Sequence, residues 1–229
     1  MRIKVDLDNW SRIKTYNIFS NYTDPYTGVV TKIDVTNIVK ISKNEDISFY
    51  CLIVYSILKT MINIDEFKYG YVKENDIYNI YYFDNIAATM TVLNKYNELT
   101  FTRYVKYNSN IEEFINEFIK AKNDAYNDIE YYKINGLDEC NKINITCMPW
   151  IHFSNFKDAI NHSEKNSKPK ICWGKYYCNE EHYFIDFSIL VNHAFQDGYH
   201  IGCFINEFQK NLNKLSISNK LKIKKKVKL

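Results

Sequence analysis

One histidine, held between a strand and a helix, constrains this chain more than any other feature. The stretch Ile189-Leu-Val-Asn-His-Ala-Phe-Gln-Asp-Gly-Tyr-His200 contains His193, Asp197 and Gly198. Before it, Tyr183, Ile185, Phe187 and Ile189 alternate with Phe184, Asp186, Ser188 and Leu190. That period predicts a strand over 183–190. After it, Ile201, Phe204, Ile205, Phe208 and Leu212 recur at helical spacing. His193 therefore sits at a strand end, and an Asp-Gly turn leads into a helix. Rigid scaffolds present reactive groups at such positions.

A chain of 229 residues is long enough to bury a sizeable core within one domain. A net charge of +3 is too small to argue for nucleic acid. With 6 Gly and 3 Pro against 20 Tyr and 14 Phe, the composition is globular rather than disordered. Cys51, Cys140, Cys147, Cys172, Cys178 and Cys203 include no CxxC pair, so a zinc site is not signalled and buried free thiols are expected. The apolar run from Ile47 to Leu58 is too short to span a bilayer. The charged start Met-Arg-Ile-Lys-Val-Asp lacks the apolar stretch of a secretory leader. The expectation is a cytoplasmic, reducing compartment, with no metal, no membrane partner and no nucleic acid.

Along the chain, residues 29–36 read as a strand. Ser42 and Glu45 stand at capping-box spacing before a helix expected from about Asp46 to Ile62, apolar nearly all round and hence buried. Strands follow over 76–83, 87–93 and 100–107, with a turn at 94–97. Ser109 and Glu112 form a second capping box before an amphipathic helix carrying Ile111, Phe114, Ile115, Phe118 and Ile119. Residues 123–141 read as a loop, 142–148 as a strand, 162–168 as a surface loop, and 169–177 as a strand paired to 183–190 through a turn starting at Cys178. The expected fold class is α+β, a two-layer sandwich with a mixed, mostly antiparallel sheet packed against helices. A single domain spans 1–218. The lysine-rich tail, 219–229, is read as a frayed end rather than an arm for anions, membranes or nucleic acid.

The central stretch resembles the His-His-x-x-x-Asp-Gly motif of CoA-dependent acyltransferases, with Asn192 in place of the first histidine. Four further stretches are similar to the chloramphenicol acetyltransferase family, in order and across nearly the whole chain. They are Trp10-Ser-Arg12, Lys32-Ile-Asp-Val-Thr36, Asn144-Ile-Thr-Cys-Met-Pro-Trp150 followed by Phe153 and Phe156, and Pro169-Lys-Ile-Cys-Trp-Gly-Lys-Tyr176. The resemblance implies a homotrimer of two-layer α/β subunits with active sites at the subunit interfaces. Acetyl-CoA, the co-substrate, and a hydroxyl acceptor, chloramphenicol, would enter a tunnel from opposite ends.

Moving an acyl group from a thioester to a hydroxyl requires a base, donors for the tetrahedral oxyanion, and a seat for the carrier. Imidazole suits the first task near neutral pH, and the motif casts His193 as general base rather than as a structural histidine. Thr146 stands where the family has an oxyanion-binding serine. It keeps the hydroxyl, and it equally fits an ordinary β-branched strand position. By the resemblance, Asp197 is not a third triad member but the partner of Arg12 in an ion pair that orders the loop. Gly198 is expected to supply a backbone conformation that a Cβ would resist. Lys175 and Tyr176 match positions near CoA, for phosphate and adenine, while Ser48 replaces a further family lysine. His152, His162, His182 and His200 have no such context and are assigned no role.

The departures cluster on the acceptor side. Asn21-Tyr-Thr-Asp-Pro-Tyr-Thr-Gly28, Thr91-Val-Leu-Asn94 and Asn97-Glu-Leu-Thr-Phe-Thr102 differ from the family's segments, and Asp158 replaces a leucine. The ring-binding pocket is expected to be less apolar, with a costly carboxylate if Asp158 is buried without a partner. Three readings follow. The first is a chloramphenicol O-acetyltransferase. The second is an acyltransferase of the same fold with another hydroxyl acceptor. The third is a non-catalytic homologue that binds CoA or a metabolite.

Overall fold

In the computed structural model, residues 1–96, 100–127 and 140–217 are described. The chain runs β1 (Arg2–Lys4), α1 (Ile13–Phe19), β2 (Tyr26–Asp34), α2 (Thr36–Glu45) and α3 (Phe49–Met61). After a 3-10 turn at Asp65–Lys68 come β3 (Tyr69–Glu74), β4 (Ile77–Phe83), β5 (Ile86–Leu93), β6 (Thr100–Lys106) and α4 (Ile111–Asn127). The last elements are β7 (Asn141–Met148), β8 (Lys170–Gly174), β9 (Tyr177–Asn179), β10 (His182–Asn192) and α5 (Gly198–Lys214).

The large sheet has the order β2-β10-β8-β7-β5-β6, with β9 also on β10. β7 lies parallel to β5 and β8, and the other neighbours are antiparallel. The α+β expectation with a mixed sheet describes this architecture. Helices α2 to α5 cover one face. Their apolar residues and the inward residues Ile185, Phe187, Ile189 and Val191 of β10 form one core. Phe187 packs against Phe204 and Phe208 with ring centroids 6.1 and 5.2 Å apart. Each fully buried phenylalanine contributes about 1.5–3 kcal/mol of transfer free energy.

α3 shows why an all-apolar helix belongs at the centre: every residue except Phe49, Tyr50 and Lys59 is buried. Its buried serine and threonine hydroxyls donate within the helix, Ser56 to Leu52 O and Thr60 to Ser56 O, both at 2.8 Å. The cap is not where the spacing puts it. Ser48 accepts from Cys51 N, and Ser42 lies inside α2, donating to Ile47 O. Likewise Asn110, not Ser109, opens α4, since its Oδ1 accepts from Glu112 N and Glu113 N. α4 itself continues to Asn127, into the stretch expected to be a loop, and residues 128–139 of that stretch lie outside the described residues, as do 97–99 and the tail from 218. β2 starts at Tyr26 and stops at Asp34, because Thr36 begins α2. α1, α2, β1 and β3 are additional, as is β9, which falls on the turn expected from Cys178.

A smaller sheet, β1-β4-β3, stands apart from the large one. With α1 it closes a second apolar cluster of Trp10, Ile80, Ala194 and Phe195, flanked by Tyr16, Phe19, Tyr69 and Tyr71. Two of those residues come from the loop that follows β10, so this cluster positions the site.

Candidate active site

β10 ends at Asn192 and α5 begins at Gly198, which leaves His193 to Asp197 as the connecting loop. Phe195 is completely buried, with its ring 4.9 Å from Tyr71, 6.0 Å from Tyr16 and 6.1 Å from Trp10. Buried Asn192 ties the turn: Oδ1 accepts from Ala194 N at 2.9 Å, and Nδ2 donates to Asn166 O at 2.8 Å. A short amide thus meets one backbone donor and one backbone acceptor at a strand end. Gln196 Nε2 donates to Glu66 O at 2.6 Å.

His193 is half-buried. Its backbone N–H donates to Pro25 O at 2.8 Å, and its ring stacks on Phe19 with centroids 3.8 Å apart. Its Nδ1 is buried without a hydrogen-bond partner among the described residues. Arg12, at the start of α1, reaches the same loop. Nη1 donates to Asp197 Oδ2 at 3.2 Å, and Nη2 lies 3.5 Å from His193 O. Burial pushes the Asp197 carboxyl up, but the hydrogen bond from Arg12 and the charges of His200 and Arg12 outweigh it and hold it below the usual range.

Gly198 departs from expectation. It is the first residue of α5, and a Cβ there would meet nothing within 4 Å. Asp197 before it has an extended backbone, φ −123°, that any residue adopts. Within this chain, Gly198 is not required by its φ or by crowding. The crowded glycine is Gly28, where a Cβ would sit 2.1 Å from Ile189 O of the neighbouring β10.

Thr146, Lys175 and Tyr176 gather elsewhere, around a cavity of about 1180 Å³. Lys175 and Tyr176 occupy the break between β8 and β9, where Lys175 N donates to Ile151 O at 2.8 Å. Phe49 packs 5.3 Å from the Tyr176 ring. The first residues of α3, with Ser48 as cap, line the same space, so the positive end of that helix faces it. Lys95 and Lys122 line it too. Neither stands out in the sequence, because a lysine on a turn or on the polar side of α4 looks like any solvated charge. The sulfur beside Thr146 is no nucleophile: burial pushes the Cys147 thiol up to about 12. Among the described cysteines only Cys51, Cys140 and Cys172 are buried, while Cys178 is exposed.

The two groups of residues stand at opposite ends of the sheet. Thr146 pairs with Cys172, which pairs with Ser188 of β10, five residues before His193 at the end of that strand. At about 3.3 Å per residue that is roughly 15 Å along the strand, before the sideways step across β8. Lys175 lies further still in the opposite direction.

Asp158 has a partner that offsets the cost of burial: Oδ2 accepts from Lys170 Nζ at 3.3 Å, and the same ammonium donates to Ala159 O at 2.8 Å. Lys170 is only 6 % exposed. Lys170 opens β8, within the strand expected over 169–177, and neither its length nor the alternation signals that it turns inward to a partner. Among the described residues no helix is long and apolar enough to cross a membrane, and no three metal-ligating side chains converge.

The family model described as chloramphenicol acetyltransferase matches residues 2–209. A chloramphenicol acetyltransferase of Staphylococcus aureus is 29 % identical over 208 residues, 90 % of this chain and 96 % of its own. One of Clostridium butyricum is 27 % identical over 206 residues, 90 % and 92 % of the two chains. A solved chloramphenicol acetyltransferase superposes with a TM-score of 0.82 at 21 % identity, covering 93 % of this chain and 100 % of that one. A dihydrolipoamide acetyltransferase of Azotobacter vinelandii shares the fold at a TM-score of 0.62 and 10 % identity, over 88 % of this chain and 86 % of its own.

Proposed function

The chain belongs to the chloramphenicol acetyltransferase family and is an acyltransferase, and from that premise we propose that it carries acetyl from acetyl-CoA to a hydroxyl of chloramphenicol, with His193 as general base. In this reading Nε2 of His193 takes the hydroxyl proton as the oxygen attacks the thioester carbonyl, and returns it to the departing CoA thiolate. The Thr146 hydroxyl donates to the tetrahedral oxyanion. Lys175, Lys95, Lys122 and the start of α3 attract the phosphates of the carrier, and the Tyr176 ring stacks on its adenine. No step needs a metal.

The observation that carries this reading is the separation of His193 from the cavity. Reacting groups must come within about 3–3.5 Å, and no rotamer spans roughly 15 Å along a strand. A second copy that sets its His193 against the Thr146 cavity of the first completes the site, in keeping with a homotrimer whose sites lie between subunits. The half-buried His193 and the exposed Trp150 and Ile151 beside the cavity fit surfaces that a neighbour covers.

The test is release of free thiol from acetyl-CoA in the presence of chloramphenicol. His193→Ala and Thr146→Val are made separately, and the two inactive proteins are then mixed, dissociated and reassembled. Mixed assemblies contain interfaces where an intact His193 faces an intact Thr146, so activity returns. A mixture as inactive as its parents would refute a shared site, and a His193→Ala protein that kept its rate would remove the base.

One observation favours a second reading, an acceptor other than chloramphenicol. The Lys170–Asp158 pair puts charge where the resemblance expects a leucine against an aromatic ring. Thiol release with other hydroxyl compounds but not with chloramphenicol would select this reading.

A further inference from the structure

Asp197 holds more than Arg12. Its second carboxylate oxygen, Oδ1, lies 2.8 Å from His200 Nδ1. The other edge of that ring meets Glu66, with Nε2 3.3 Å from Oε1. Glu66 belongs to the 3-10 turn before β3, and its backbone carbonyl is the one that accepts from Gln196. One residue outside the loop thus grips it twice, once through Gln196 and once through His200. The His200 side chain is only 12 % exposed.

The His200 ring thus lies between two carboxylates, each at ion-pair distance from one of its nitrogens. We propose that His200 is a positioning residue for acyl transfer: it fixes Asp197, Asp197 fixes Arg12, and Arg12 holds the carbonyl of His193. The chain of contacts runs from Glu66 Oε1 through the His200 ring to Asp197, then from Arg12 Nη1 to Nη2 and His193 O. This inference rests on the reading of His193 as base.

The same Nδ1 accepts a hydrogen bond from the Asp197 backbone N–H at 3.2 Å, so the ring also caps the start of α5. The charged and titratable groups around the ring are Asp197 on its own helix, Glu66 from the turn, Arg12 behind Asp197, and Tyr199, whose ring stands edge-on at 5.5 Å.

A structural cap and a positioning residue predict different data. The proteins to compare are wild type, His200→Ala and His200→Gln, the last keeping an amide that can donate to Asp197. The readouts are kcat and KM in the thiol assay, the melting temperature, and the NMR signals of the Arg12 guanidinium. His200→Ala is expected to lower kcat by roughly 10- to 100-fold, the scale of a slightly misplaced catalytic group, with little change in the KM for acetyl-CoA. His200→Gln recovers part of that loss. The Arg12 signals, separate when the guanidinium is clamped, average in His200→Ala. Wild-type kcat in His200→Ala, or a loss of rate that Gln does not rescue and that follows the melting temperature, would overturn the proposal. If wild type turns over no acceptor at all, the acyl-transfer reading fails by itself. Clamped Arg12 signals in His200→Ala would then still refute the positioning chain.

Discussion

Arg12 meets Asp197 across 185 positions of sequence, Nη1 to Oδ2 at 3.2 Å, and the same guanidinium reaches the carbonyl of His193. The pair joins the start of α1 to the start of α5 and closes the loop between them. Its chemistry makes stability depend on pH. A carboxyl held below its unfolded value, near 3.9, stabilises the fold fully above that value. The contribution is lost as pH falls through the folded pKa. A third of the Asp197 side chain is exposed, so solvent screening keeps the effect below that of a fully buried pair. Asp197→Asn is expected to cost about 2 kcal/mol at pH 7 and to lower Tm by about 4–8 °C. The gap to wild type narrows below about pH 4. Melting curves across pH 2–7 measure it, and a gap constant to the acid end would show that the carboxylate charge does not stabilise the fold.

Thr146 offers a cleaner separation of roles. Valine has the shape of threonine without its hydroxyl, and serine has the hydroxyl without the methyl. If the hydroxyl binds the oxyanion, Thr146→Val lowers kcat by about 10²–10³-fold and Thr146→Ser keeps most of the rate. The comparison is made in kcat at saturating acetyl-CoA. Equal rates in the two variants would return Thr146 to being a β-branched residue of β7.

How much of this was legible in the sequence follows the range of each interaction. β10 and α5 were readable because their apolar residues repeat at periods of 2 and 3.6, and each buries one face. The apolar α3 was readable for the same reason, although its cap was not: Ser42 and Ser48 both precede it, and only packing shows that Ser42 belongs to α2. The motif carried His193, Asp197 and Gly198 by resemblance. No local pattern shows that Gly198 faces open space, or that His200 lies between Asp197 and Glu66, 134 positions from the latter. Asp158 and Lys170 look like ordinary surface charges in sequence, and only the fold brings them together. Local periodicity reports which face of an element is buried. It does not report which distant charge waits there.

Phe195 links the second apolar cluster to the site. Its ring is the loop's anchor among Trp10, Tyr16 and Tyr71. Phe195→Ala is expected to cost about 3–5 kcal/mol and to depress activity more than binding of CoA, because the cavity lies at the other end of the sheet. Denaturant midpoints with a CoA titration check both halves. A variant that loses CoA affinity as steeply as activity would show that the two ends of the sheet are not independent.

The Lys170–Asp158 pair makes the sharpest prediction about the acceptor. Lys170 is almost fully buried, and removing its ammonium leaves the Asp158 carboxylate, 25 % exposed, without its counter-charge. Lys170→Met should therefore cost about 3 kcal/mol. Replacing both residues, Asp158→Leu with Lys170→Met, removes both desolvation penalties and returns stability to near wild type or above it. The same double change restores an apolar wall where the resemblance expects one. Burying a leucine against an aromatic ring is worth about 1.5–3 kcal/mol, so kcat/KM for chloramphenicol rises about tenfold or more if the pair borders the acceptor. Stability restored without any gain on chloramphenicol would assign the pair to the loop that covers the sheet, and would return the choice of acceptor to the segments around Tyr26 and Leu93.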